Sequence, residues 1–160
     1  MEQRLDYPKL APEAVRALYG LEGYLAKSGL EPSLRELVKI RSSQINGCAY
    51  CIDMHTKDAR AAGETEQRIY ALSAWRETPF FTDRERAALA WTEALTHIGD
   101  GVPDALFAAT REHFAEKEIV DLTWAVAAIN AWNRVAISMR AVPGAYQPKR
   151  PAAEGVKPAS

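Results

Sequence analysis

The stretch from about Glu118 to Met139 constrains the fold more than any other part of this chain. Ile119, Val120, Leu122, Trp124, Val126, Ile129, Trp132, Val135 and Ile137 fall at spacings that cover most of the circumference of a helix. A helix apolar nearly all round is central to its domain or lies between subunits. It is too short in unbroken apolar length, and too interrupted by Asn130, to span a bilayer. The rest of the chain must therefore supply helices that pack around it.

The remaining punctuation supports this. No run of alternating β-branched residues marks a strand. A first helix is predicted from near Pro12, with Val15, Leu18, Tyr19 and Leu25 on one face and Ser28-Gly29 as its stop. Ser33-Leu34-Arg35-Glu36 matches a capping box and predicts a second helix ending at Asn46-Gly47. A third runs from about Cys48 to Ala62, with Gly63 as cap. A fourth carries Ile69, Leu72 and Trp75 and closes at Thr78-Pro79. Thr82-Asp83-Arg84-Glu85 is a second capping box, opening a helix with Ala88, Trp91, Leu95 and Ile98 in phase. After the Gly99-Asp100-Gly101 turn, Pro103 suits the first position of a sixth helix reaching about Phe114. The prediction is an all-α bundle of six to seven helices in one domain, residues 1–142, oligomeric because so many apolar faces are hard to hide in one protomer. The Pro- and Gly-rich segment 143–160 is expected to be a poorly ordered tail.

Charge narrows the function. The 160 residues carry 20 basic and 21 acidic side chains, for a net charge of −1. A general nucleic-acid or membrane-surface binder normally shows a basic excess. The N-terminal residues have no apolar stretch after a positive region, so a cytoplasmic location is expected. There, two cysteines at CxxC spacing are more often redox groups or metal ligands than a structural staple.

Those cysteines are Cys48 and Cys51 in Cys48-Ala49-Tyr50-Cys51. With Cys48 at 0° on a helix turning about 100° per residue, Cys51 falls near −60° and His55 near −20°, all on one narrow face. Cβ atoms at this spacing lie roughly 5–6 Å apart, and a disulfide needs about 3.5–4.5 Å, so a tightened first turn permits one. Helix-start N–H groups after Asn46-Gly47 favour a thiolate. A thiolate attacks peroxide oxygen to give a sulfenic acid, which a second thiol condenses to a disulfide. His55 can supply acid/base function. Glu36 on the preceding helix can fold back toward His55 and hold the imidazole, or can serve only its capping box. A pair of buried core cysteines and a zinc site built from Cys48, Cys51, His55 and Glu36 are the competing readings; structural zinc usually draws on two separated knuckles. His97 and His113 are expected at the surface or an interface, the Trp residues in packing, and Asn130 and Asn133 in structural hydrogen bonds.

The pattern of Glu36, Cys48-x-x-Cys51 and His55 resembles the AhpD-like alkylhydroperoxidase family of the carboxymuconolactone decarboxylase superfamily. Glu36-Leu37-Val38 through Arg41, Asn46-Gly47 before the first Cys, and Ile129-Asn130-Ala131-Trp132-Asn133-Arg134 agree with it, over roughly Leu30 to Arg140 with a motif core at 33–62. The resemblance implies an AhpD-like bundle assembling as trimers or hexamers. It implies a thiol-dependent peroxidase that reduces hydroperoxides through a Cys48–Cys51 disulfide with a Glu36/His55 proton relay, recycled by a dithiol or a protein disulfide reductant. Cys51 is then the thiol that meets peroxide and Cys48 the one that resolves it. The best-studied branch carries His where this chain has Tyr50, a phenol that can donate a hydrogen bond and be an auxiliary group but not a ready base near neutral pH. Other readings are a redox sensor or disulfide reductase of the same fold, and, with the cysteine pair against it, a decarboxylase acting on a lactone. No cofactor motif, neither GxGxxG nor a P-loop, is present, and neither cofactor nor metal is expected.

Overall fold

The structure is a computed structural model describing residues 2–148. Among these residues there is no strand. The helices are α1 (Tyr7–Leu10), α2 (Pro12–Leu25), α3 (Pro32–Asn46), α4 (Ala49–Ala61), α5 (Glu66–Ala71), α6 (Asp83–Thr96), α7 (Asp104–Arg111) and α8 (Glu116–Met139). Short 3₁₀ stretches follow α5 (Leu72–Glu77) and α6 (Ile98–Asp100). No helix among the described residues is long and apolar enough to cross a membrane.

The most enclosed helix is α3, which packs against α4, α6 and α8 together. Leu37, Val38, Ile40, Ser42 and Ser43 have no solvent exposure at all. Two apolar clusters flank it. Leu30, Leu34 and Val38 meet Trp91, Phe114, Leu122 and Val126 on one side. Leu37 and Ile40 meet Leu72, Trp75, Phe81 and Leu89 on the other. The apolar helix α8 buries Ile119, Leu122, Ala125, Val126, Ile129 and Ala136, yet leaves Val120, Trp124 and Ile137 about half exposed. Its circumference is thus divided between the core and a surface that the protomer does not cover.

Local starts and stops differ from the sequence prediction in instructive places. Helix α3 begins two residues earlier than its capping box implied. Pro32, whose fixed φ suits the first helical position, starts it with Glu31 as N-cap and no side-chain cap hydrogen bond. Ser33 is then inside the helix, and the Glu36 carboxylate is released for other work. The second box forms as predicted: Glu85 N–H donates to Thr82 Oγ1 at 3.3 Å, and Thr82 N–H donates to Glu85 Oε2 at 2.8 Å. Pro103 is the N-cap of α7 rather than its first residue. The fourth predicted helix is broken at Ala74, whose φ of −117° converts its second half to the 3₁₀ stretch.

The segment expected to be a loose tail runs, as far as Pro148, along α4. Gly144 N–H donates to Asp53 Oδ2 at 2.9 Å, and Lys57 Nζ donates to the carbonyls of Gly144 and Tyr146. These bonds offset the ordering cost that its composition suggested could not be met. Residues 149–160 lie outside the described part.

Candidate active site

The α3–α4 junction builds the dithiol. Gly47 takes a left-handed φ of +70°, a conformation glycine adopts without Cβ strain, and Cys48 N–H donates back to Ser43 O at 2.9 Å. The chain reverses and Cys48 becomes the N-cap of α4. Its Sγ occupies the position that a Ser, Thr or Asp oxygen fills at most helix starts, and accepts the Cys51 N–H at 3.4 Å. Both thiols are free, with 1% and 2% of their surface exposed, and they pack with Ile129 and Ala136 of α8.

This geometry separates the two thiols electrostatically. A hydrogen bond from the Cys51 thiol, together with N–H groups of Cys51 and Tyr50 and the Asn133 amide, draws the Cys48 thiol down to about 7 against the cost of burial. Cys51 is driven the other way, by that same hydrogen bond to Cys48, by burial and by the Cys48 charge. The two directions have one cause: the hydrogen bond between the sulfurs favours the charge on Cys48 and the proton on Cys51.

Asn133 belongs to a buried amide cluster. Asn46 Nδ2 donates to Asn130 Oδ1 and to Asn133 Oδ1, both at 2.9 Å, and Asn133 Nδ2 donates to Ser43 Oγ at 3.0 Å. With both α3 and α8 contributing, the cluster holds a donor against the sulfurs. The sequence signalled that Asn130 and Asn133 needed partners; their use beside the thiols came only with the packing, and Ser43 carried no signal.

One turn beyond Cys51, the buried His55 ring receives Glu36. Its Nδ1 lies 2.9 Å from Glu36 Oε2, across the α3–α4 interface. Burial pushes the Glu36 carboxyl up, but the His55 hydrogen bond and the charges of His55, Lys39 and Arg35 outweigh it and hold the group below its ordinary value. Lys39 Nζ is 3.6 Å from Glu36 Oε1 and 3.0 Å from Glu22 Oε2, and Trp132 Nε1 donates to Glu22 Oε1 at 3.2 Å. Lys39, Glu22 and Trp132 were not singled out as site residues. Sequence periodicity marks a Lys on a helix as a solvent-facing charge, but the Lys39 side chain is only 11% exposed.

Two cavities open on the dithiol. One, of about 240 Å³, is lined by Cys51 and His55 with Tyr7, Tyr19, Tyr50, Met54, Trp132, Lys39 and Glu22 among its walls. The other, of about 460 Å³, is lined by Cys48 with Gly47, Tyr50, Ile137, Arg140 and Val142. Tyr50 and Ala136 border both. All five residues singled out from the sequence, Glu36, Cys48, Tyr50, Cys51 and His55, therefore meet in one region, whereas His97 is exposed on the far end of α6. Trp132, expected only to pack, lines the Cys51 cavity.

Among the described residues, one group offers metal-ligand atoms within 4.8 Å of one another: Glu36, His55 and Asp58. His55 Nδ1 is already taken by Glu36, and Asp58 Oδ1 accepts the Tyr146 hydroxyl at 2.7 Å. Its members are engaged in two separate hydrogen bonds, His55 with Glu36 and Asp58 with Tyr146, and the group differs from the Cys-containing zinc set considered from the sequence.

Comparison with known proteins agrees with the fold. Residues 12–94 match the model of the carboxymuconolactone decarboxylase family. The chain belongs to that family. It is 49% identical over 140 residues to the uncharacterized protein YdfG of Bacillus subtilis, covering 87% of this chain and 95% of YdfG. It is similar in structure to ATU0492 of Agrobacterium tumefaciens, a protein of unknown function proposed to be the antioxidant defence protein AhpD. There the TM-score is 0.87 and the identity 45%, over 91% of this chain and all (100%) of that one. An uncharacterized peroxidase-related protein of Ralstonia eutropha, with an alkylhydroperoxidase AhpD core, shares the fold at 23% identity and a TM-score of 0.77, over 86% of this chain and 74% of that one. The fold is AhpD-like.

Proposed function

We propose that this protein is a thiol-dependent peroxidase that reduces hydroperoxides through a Cys48–Cys51 disulfide. The observation that carries the reading is that Cys51 and His55 line one small cavity while Cys48 opens on another, with Glu36 bonded to Nδ1 of the imidazole.

In this reading a hydroperoxide enters the Cys51 cavity. His55 Nε2 takes the Cys51 proton, and the thiolate attacks the outer peroxide oxygen. The O–O bond breaks, an S–O bond forms, and the proton passes from His55 to the departing alkoxide, giving an alcohol and a Cys51 sulfenic acid. Cys48, already the more acidic thiol, then attacks the Cys51 sulfur. The S–S bond forms and hydroxide leaves as water with a second proton. A dithiol reductant, a small molecule or a protein, reduces the disulfide by thiol–disulfide exchange from the Cys48 side, and is itself oxidised to a disulfide.

Burial tilts the division of roles. The low Cys48 value by itself favours Cys48 as the attacking thiol, as helix-end electrostatics did from sequence. Cys51 is assigned the attack because it shares a cavity with the histidine of the site, and because the less acidic of the two thiols is the one that needs a base. Tyr50, between the cavities, donates a hydrogen bond to the substrate or separates the two entrances. The same reading includes a reducing, cytoplasmic setting and a homo-oligomer, a trimer or hexamer, in which the half-exposed Val120, Trp124 and Ile137 of α8 are covered.

The test is peroxide consumption driven by dithiothreitol for the wild type, Cys48→Ser and Cys51→Ser. Loss of turnover in both variants, with a peroxide-dependent sulfenic acid trapped on Cys51 in Cys48→Ser, is the expected result. A sulfenic acid on Cys48 in Cys51→Ser would reverse the assignment. Negligible wild-type turnover, with reversible disulfide formation and a change in oligomer size, would make the protein a redox sensor instead.

A further inference from the structure

Four aromatic side chains and a thioether line the cavity that Cys51 and His55 share. They are Tyr7, Tyr19, Tyr50, Trp132 and Met54. They arrive from four separate helices: Tyr7 from α1, Tyr19 from α2, Tyr50 and Met54 from α4, and Trp132 from α8. The chain before α1 is tied to the end of α8, where Arg4 N–H donates to Met139 O at 2.9 Å and Arg4 Nη1 to Ser138 O at 3.1 Å. That attachment helps to hold Tyr7 against the cavity. Tyr19 and Trp132 form a tilted pair, with ring centroids 5.2 Å apart and planes at 52°. Rings so arranged can receive a further ring in the same offset or edge-on geometries, and a thioether is a soft, polarizable neighbour for it.

The polar groups of the walls satisfy one another. Glu22 Oε1 accepts the Trp132 indole N–H at 3.2 Å, and Glu22 Oε2 accepts Lys39 Nζ at 3.0 Å. Lys39 Nζ also lies 3.6 Å from Glu36 Oε1, and Glu36 Oε2 lies 2.9 Å from His55 Nδ1. One ammonium thus serves two carboxylates, so a ligand that carries a carboxylate meets no spare cation here. Size narrows the choice further. The cavity of about 240 Å³ is smaller than the roughly 300–1,000 Å³ of pockets that take drug-sized ligands, which leaves out a fused ring system or a long acyl chain. Hydrogen peroxide fits, but it leaves the ring faces against water.

We propose that the Cys51 cavity is a binding site for a single neutral aromatic ring, and that the hydroperoxide it favours carries such a ring on the carbon that bears the O–OH group. The substrate assignment rests on the peroxidase reading; the ring site does not. Tyr7, Tyr19 and Trp132 are the specificity-determining residues, covering the ring while Cys51 Sγ meets the outer peroxide oxygen. The step balances as for any hydroperoxide. Two thiols give up two electrons and become the Cys48–Cys51 disulfide, the O–O bond takes them up and breaks, and an aryl-substituted alcohol and water leave.

The experiment compares cumene hydroperoxide with tert-butyl hydroperoxide, which differ only by a phenyl group in place of a methyl. With dithiothreitol as reductant, kcat/KM for the phenyl compound is expected to exceed that for the methyl one by about 10- to 100-fold. Tyr19 is 64% exposed, so replacing it leaves the core intact. In Tyr19→Leu, which keeps apolar bulk without a ring, the ratio of the two kcat/KM values should fall about 3- to 10-fold, and Tyr19→Phe should restore it. A merely structural role would lower both rates and leave the ratio where it was.

A second arm needs no turnover. Cumyl alcohol, the product, is titrated into the full-length reduced protein while the Trp132 indole N–H is followed by NMR. It is expected to bind at least about 10-fold tighter than tert-butanol, and tighter than its own cyclohexyl counterpart, whose ring has no π face. Equal kcat/KM for the two hydroperoxides, a ratio unmoved by Tyr19→Leu, or a cyclohexyl alcohol that binds as well as the phenyl one would overturn the proposal. A protein that turns over neither hydroperoxide yet binds cumyl alcohol at Trp132 would sink the peroxidase reading and leave the ring site standing.

Discussion

Glu36 Oε2 sits 2.9 Å from His55 Nδ1, a contact that bridges 19 residues of sequence and joins α3 to α4 behind the dithiol. With Nδ1 held there, Nε2 is the nitrogen left to exchange a proton, in the arrangement by which a carboxylate fixes the tautomer and orientation of an imidazole.

Glu36→Gln keeps the shape and a hydrogen-bonding group but removes the charge. Peroxide turnover with dithiothreitol is expected to fall about 10- to 100-fold, with thermal stability near wild type. Turnover equal to wild type would remove Glu36 from the relay. The Glu36 value is held down in the folded state, so its contribution to stability is present above the unfolded carboxylate value and is lost as pH falls through the folded one. Glu36→Gln should therefore flatten the acid limb of a stability-against-pH curve measured by denaturant unfolding.

Cys48 should react with iodoacetamide far faster than Cys51 in the reduced protein, with a rate that rises with pH through about 7. In Cys51→Ser a hydroxyl replaces the donor that contributes most, so the curve should persist with its midpoint moved up. Mass spectrometry of the alkylated peptide reads both sites. Preferential labelling of Cys51 at neutral pH would mean that the proton rests on the other sulfur.

Lys39→Met is expected to destabilise the fold by about 3 kcal/mol, because it leaves Glu22 and Glu36 facing each other with their shared cation gone. Glu22→Gln/Lys39→Met should recover part of that loss. The measurement is urea unfolding of the single and double variants, and a Lys39→Met variant as stable as wild type would show that the pair of carboxylates is not charged in the folded state.

Asn133→Ala removes an amide that has no solvent exposure and leaves Asn46 and Ser43 each short of a partner. A loss of about 2–3 kcal/mol is expected, together with a higher midpoint for Cys48 alkylation, since the amide helps to lower that thiol. A stability loss without a change in Cys48 reactivity would reduce Asn133 to a packing role.

Much of this molecule is local, and what is local was legible. The helix succession follows from apolar periodicity, from Gly47 and Gly63 at helix ends, and from the Thr82–Glu85 box, because each depends on residues a few positions apart. The phase that aligns Cys48, Cys51 and His55 is of the same kind: it follows from helical rotation alone. The motif also brought Glu36 into view, although its capping role did not survive Pro32 starting α3 earlier. The meeting of Glu36 with His55, 19 residues apart, was the one long-range pairing that the helix–turn–helix spacing anticipated. The others were not legible: the seating of Lys39 against Glu22, the Asn46–Asn133–Ser43 cluster and the approach of Tyr146 to Asp58 join segments that are 17 to 90 residues apart. No periodicity encodes which face of one helix lies on which face of another; that is decided when α3 is buried among α4, α6 and α8 at once. The sequence by itself determined that there are two thiols and an imidazole on one face of a helix. The tertiary structure added the Asn133 amide of α8 to the Cys51 and Tyr50 donors of the helix start that lower the Cys48 thiol, because which face of α8 lies against that cap is set by long-range packing.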